Sequence, residues 1–115
     1  MTSIARDSAR SSAARAWVNF NGTGTVAIRD SVNSTSLTDN AVGDYTISFV
    51  NNMANATYAA GGLGSVGNAN SGWGDLLIRD NSAAPTASAL RLGHIGYSAW
   101  TDCAYGLANV HGDLA

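Results

Sequence analysis

Residues 16 to 58, AWVNFNGTGTVAIRDSVNSTSLTDNAVGDYTISFVNNMANATY, alternate short apolar runs with glycine- and asparagine-rich turns, and this stretch decides the fold. It opens with Trp17-Val18-Asn19-Phe20 and then crosses Asn21-Gly22-Thr23-Gly24, where glycines allow the chain to turn through positive φ. Beyond the turn, Val26, Ile28 and Val32 occupy even positions and Ala27, Arg29 and Ser31 odd ones, which predicts a strand with one buried face. Leu37 to Asp44 reads as a short strand entering an Asn/Gly/Asp turn. Tyr45, Ile47 and Phe49 then alternate with Thr46, Ser48 and Val50 in the clearest strand of the chain. Trp17, Tyr45 and Phe49 are accordingly expected in the core.

Working outward, residues 1–16 form a Ser/Ala/Arg segment unlike the rest, with Ile4 its only large apolar side chain apart from the initiating methionine. Ser3 could cap a short helix, Asp7 suits its positive end, and Arg10 and Arg15 suit its negative end. Alone, so short a helix is marginal in water. The expectation is an arm at 1–16, helical or disordered, followed by a β-domain at 17–115. Ala59 to Gly72 is glycine-rich and predicts a long surface loop or a thin, irregular pair of strands. Strand character returns at Trp73 to Asn81, and again from Thr86 to Ile95 with Leu90 and Leu92 on one face. A turn-rich link holds Tyr97, Trp100, Asp102 and Cys103, and Ala104 to His111 closes the sheet.

Composition agrees with this reading. The 115 residues suffice for one modest core, and charged residues make up only 12%, about half the usual share. All 6 cations are arginine and all 8 anions are aspartate, with no Lys, Glu or Gln. The missing residues are helix formers and poor strand formers, so their absence beside Thr, Ser, Asn and Gly favours β-structure, although genomic base composition would have the same effect. A net charge of −2 without a basic run gives no footprint for nucleic acid. No apolar run approaches the length of a membrane helix and no secretion signal opens the chain, so a soluble protein without membrane insertion is expected. Cys103 is the only cysteine, which excludes an intrachain disulfide and predicts a small buried thiol.

The runs WVNFNGTGTVAIRDSVN and TDNAVGDYTISF, followed by Met53 and Tyr58, resemble a module found at the C-terminal ends of tail-fibre and other virion proteins of tailed bacteriophages. Ala108 to Asp113 resembles the last strand of that module, with His111 where a large apolar residue is usual. The module has no catalytic motif to carry over. The resemblance therefore implies a non-enzymatic structural and binding role, location in the virion after synthesis in the host cytoplasm, and homotrimeric assembly.

Chemistry-bearing motifs are sparse. Gly22 to Asp30 and Gly72 to Asp80 share the form G-x-G-x-x-x-I-R-D, a glycine turn feeding a strand that leaves through Arg-Asp. Neither completes a dinucleotide fingerprint; two strands solving one turn problem, at equivalent places in facing sheets, explain the echo more simply than a duplication. His94 and His111 with Asp102 and Asp113 lack a spacing that names a metal, so no metal or cofactor is assigned, and no G-x-S-x-G elbow supports a hydrolase. The Asn-x-Thr sequons at Asn21, Asn33 and Asn55 mark β-turns.

Trp73, Tyr97 and Trp100 fall among glycines and short polar residues rather than in alternating strands. An aromatic ring beside Asp and Asn is what a sugar requires, because its C–H face stacks while its hydroxyls hydrogen-bond. These three are the candidate ligands for a host-surface glycan, though rings so placed serve equally to plug a core or a subunit interface. The expected fold is an all-β antiparallel sandwich of seven or eight strands behind a short N-terminal arm. The expected protein is a tail-fibre tip that binds the host surface and contacts other virion proteins through its arm. The alternative is a capsid decoration protein, favoured by a short chain that starts at its own Met1.

Overall fold

The computed structural model describes residues 13–66, 74–79, 83–96 and 99–115. Among these, nine strands build two antiparallel sheets: β1 Ala14–Asn21, β2 Ala27–Val32, β3 Ser34–Ala41, β4 Asp44–Phe49, β5 Ala59–Ser65, β6 Asp75–Ile78, β7 Ala89–Gly96, β8 Ala99–Trp100 and β9 Tyr105–His111. One sheet has the order β2-β1-β9-β5; the other runs β3-β4-β7-β6, with β8 also paired to β7. This is the expected β-sandwich, with nine strands in place of seven or eight because the expected turn-rich link contributes β8, and no described helix is long and apolar enough to cross a membrane. The first twelve residues of the arm lie outside the description, whereas residues 14–16 belong to β1. Residues 59–65, expected as a loop or a thin strand pair, form the edge strand β5.

Period-2 alternation decides which side chains meet between the sheets. In β1, Ala16, Val18 and Phe20 point inward at 3% exposure or less. Trp17 is thereby forced outward and is half-buried, which corrects its expected place in the core. In β4, Tyr45, Ile47 and Phe49 face inward as expected, opposite Leu90 and Leu92 of β7. The regular alternation expected for β2 fails at one residue. Asn19 faces Asp30 but Phe20 faces Ile28, so Arg29 is the extra residue of a bulge. Ile28 consequently stays inward while Val32 turns out to 46% exposure.

The sheets are joined at both edges. Between β2 and β3 the chain changes sheet at Asn33, whose φ of 57° few residues other than Gly or Asn tolerate. The side chain holds the corner. Its Oδ1 accepts the Asn51 N–H at 2.6 Å and its Nδ2 donates to Asn51 O at 3.0 Å. At the opposite edge Gly64 and Gly74 bridge β5 to β6 over the buried His94 ring, and a Cβ on either glycine would overlap the imidazole. His94 Nδ1 lies 2.7 Å from the Thr101 carbonyl, so Nδ1 carries the proton; Nε2 is buried and has no hydrogen-bond partner.

The Tyr45 hydroxyl lies buried at one end of the core, beneath the β1–β2 turn and the segment before β9. Its ring packs on Phe20 with centroids 5.1 Å apart. The O–H points at Gly22 O, 2.9 Å away, and at Asp102 Oδ1, 3.1 Å away, while its oxygen accepts the Cys103 N–H at 3.2 Å. Asp102 Oδ1 also accepts the Gly43 N–H at 2.9 Å, and Gly22 N–H donates to Cys103 O at 2.7 Å. Burial raises the phenol pKa far above its ordinary value and raises the Cys103 thiol to about 11, so both stay protonated and uncharged. Removing the hydroxyl in Tyr45→Phe leaves the Cys103 N–H and the Gly22 carbonyl without this partner in a dry interior. The expected loss is about 1–3 kcal/mol, read from urea denaturation; an unchanged midpoint would show that the network contributes nothing.

Candidate functional site

Trp100 is the one candidate aromatic among the described residues, since Trp73 and Tyr97 lie outside them. It sits on β8, pairs with Ile95 of β7 and is 41% exposed on the outer face of the five-stranded sheet. The Arg79 guanidinium lies 4.1 Å from the ring centroid. Gly93 forms the floor, where a Cβ would overlap both the Trp100 ring and the Arg79 stem. A glycine at this position lets an arginine beyond β6 and an indole on β8 stack over the intervening β7.

Beside this stack Arg91 clamps Asp44 with two hydrogen bonds, Nε to Oδ1 at 2.8 Å and Nη2 to Oδ2 at 2.6 Å. Arg79 Nη1 is 3.9 Å from the same carboxylate. Asn40 Nδ2 donates to Asp44 Oδ1 at 3.3 Å and to Thr46 Oγ1 at 2.8 Å. Asp44 faces outward in alternation, yet these neighbours cover it to 3% exposure. The Arg91 hydrogen bond holds its carboxyl below the ordinary carboxylate value, and the charges of Arg91 and Arg79 add to that shift. The result is a fixed, polar patch bearing one open indole.

The other residues considered for chemistry are not brought together. His94 is fully buried, His111 ends β9, Asp113 lies past that strand, and Asp102 serves the Tyr45 network. No group of three metal-ligating side chains exists among the described residues.

A second outward surface follows from the outward placement of Trp17, which its apolar character conceals in the sequence. Across β1, β9 and β5 the outer face aligns Trp17 with Asn109 and Gly61, and Asn19 with Leu107 and Leu63. These rows line a trough of about 510 Å³. The signal was present in the sequence: with Ala16, Val18 and Phe20 inside, Trp17 and Asn19 must share the outer face. Arg29, the bulged residue, anchors one end by donating to Asn19 Oδ1 at 3.1 Å, Phe20 O at 2.8 Å and Ala104 O at 2.7 Å, with its guanidinium 4.2 Å from the Tyr105 ring centroid.

Compared with protein-family models, with curated protein sequences and with solved structures, the chain gave no match.

The Asp44 clamp has a defined pH signature. A carboxyl whose folded value is depressed contributes stability that is present above its unfolded value, about 3.9, and is lost as pH falls through the lower folded value. Thermal midpoints measured from pH 7 to pH 2 should therefore fall more steeply below about pH 4 for the native protein than for Asp44→Asn. Parallel acid limbs would show that the clamp contributes no pH-dependent stability.

Proposed function

We propose that the chain is a non-enzymatic structural module of a bacteriophage virion, a tail-fibre tip that assembles as a homotrimer and binds the host cell surface. Support comes first from the sequence resemblance and then from one observation, the open Trp100 indole held in a rigid polar patch. The sandwich fixes the ring on a paired strand, Arg79 sets its plane, and Asn40, Thr46 and Arg91 place hydrogen-bonding groups around the same carboxylate. Stacking on such a ring, with polar groups at its margin, suits saccharides of a cell surface.

A capsid decoration role is the second reading. It is favoured by Leu77 and Ile78, which are 39% and 48% exposed on β6 beside the glycine-rich edge of β5. An apolar edge of this kind suits burial against a coat lattice. Electron microscopy of the virion separates the two, by density at the tail tip or over the capsid shell.

Replacing Trp100 with alanine should abolish adsorption to host cells with a small change in thermal midpoint, since truncating a fully buried Trp would cost roughly 3–5 kcal/mol and this ring is half-open. Unchanged adsorption would sink the fibre-tip reading at this face. Light scattering at micromolar concentration should give the mass of three chains, and a stable monomer with cooperative unfolding would overturn the trimer.

A further inference from the structure

We infer that the outer face of the four-stranded sheet is a second binding site, a trough for a neutral saccharide with Trp17 as its stacking platform and Asn109 as its principal hydrogen-bonding residue. The inference deepens the host-surface reading but places the ligand on the sheet opposite Trp100.

Shape is the first argument. The trough is an open hollow of about 510 Å³, within the range of about 300–1,000 Å³ for small-molecule sites. Its depth comes from Gly61, which lies in the Trp17–Asn109 row and contributes no side chain. A Cβ there would meet only Asn109 Oδ1, 3.7 Å away, so no packing demand explains the missing side chain. Flanking apolar walls come from Leu107, 36% exposed, and Leu63, 70% exposed.

Chemistry is the second. Asn109 is exposed and its amide makes no hydrogen bond with another described residue; its Oδ1 lies beside the hollow at Gly61, and the amide carries two donors besides that acceptor. Asn19 is oriented instead of free: its Oδ1 accepts from Arg29, which leaves its Nδ2 as a donor at the rim. Donors and acceptors around an indole match the hydroxyls and the C–H face of a pyranose. The lining residues are uncharged, and the one cation at the end of the trough, Arg29, already donates to Asn19, Phe20 O and Ala104 O, which suits a neutral ligand.

The test uses the whole protein, labelled with ¹⁵N, and titrates it with the methyl glycosides of glucose, galactose and mannose, beside an array of bacterial surface oligosaccharides. Saturable shifts should concentrate on the Trp17 indole N–H and the Asn109 side-chain amide. Gly61→Leu fills the trough and should abolish binding with an unchanged thermal midpoint; Asn109→Ala should weaken it about tenfold, the equivalent of one hydrogen bond. Val42→Ala, on the distant β3–β4 turn, should bind as the native protein does. If Gly61→Leu fails to fold, Asn109→Ala carries the test. Failure of every glycoside and array member to bind overturns the trough, as does binding that survives both variants. Loss of binding in Trp100→Ala with retention in Gly61→Leu places the saccharide at the other face, upholding host-surface binding and overturning this site. Dissociation of an oligomer by Gly61→Leu identifies the trough as an interface between copies and also overturns it.

Discussion

A single phenolic oxygen ties together the parts of this chain that alternation cannot position. Strand patterning dictates that Tyr45 points inward, but it does not fix how the β1–β2 turn, the β3–β4 turn and the segment before β9 sit over the core. Gly22, Gly43 and Cys103 are the contact points of these segments, and each is reached through Tyr45 or through Asp102 beside it. The arrangement requires close approach. A Cβ at Gly22 would overlap the Tyr45 hydroxyl, and Gly43, with φ of 63°, lies against the backbone of His94 and Thr101. Buried polar groups are costly unless mutually satisfied, so this network makes one arrangement of the loops far better than its neighbours.

The two G-x-G-x-x-x-I-R-D segments acquire a common physical role at their arginines. Arg29 lies over Tyr105 and Arg79 over Trp100, with guanidinium-to-centroid distances of 4.2 Å and 4.1 Å. β2 and β6 each end a sheet, one in either layer, so each arginine folds back from an edge strand onto an aromatic residue of its own sheet. An edge strand that presents a stacked guanidinium also presents a charge, which discourages pairing with other chains. The echo is thus one solution used twice, to finish an edge and to fix the plane of an exposed ring.

Strands with clean alternation were legible from sequence: β4 and β7 carry their inward residues where Tyr45, Ile47, Phe49, Leu90 and Leu92 predicted them. Three features were not. The bulge at Arg29 is a property of pairing between two strands, so Val32 could not be seen to turn outward from β2 alone. β5 lacks a side-chain signature because Ala59-Ala60-Gly61-Gly62 form a strand through backbone pairing with β9. Asp44 reads as a turn residue, and its burial depends on Arg79 and Arg91, which are distant in sequence. At the candidate site, Trp100 is exposed, but on the paired strand β8 and not in the turn-rich link from which the sequence argued its exposure, whereas Trp17 faces outward because position in the strand overrides its hydrophobicity.

The seam at Gly64, Gly74 and His94 makes three separate positions a single unit of variation. The imidazole fills the volume that side chains at residues 64 and 74 would otherwise occupy, and its Nδ1–H bond to the Thr101 carbonyl prevents it from swinging away. A larger residue can therefore enter at 64 or 74 only in a background where 94 has already shrunk, and shrinking 94 alone opens a void beneath the bridge. Either first step is unfavourable by itself. Descent with modification should accordingly carry these three residues together, exchanging volume among them while the junction between the sheets keeps its spacing.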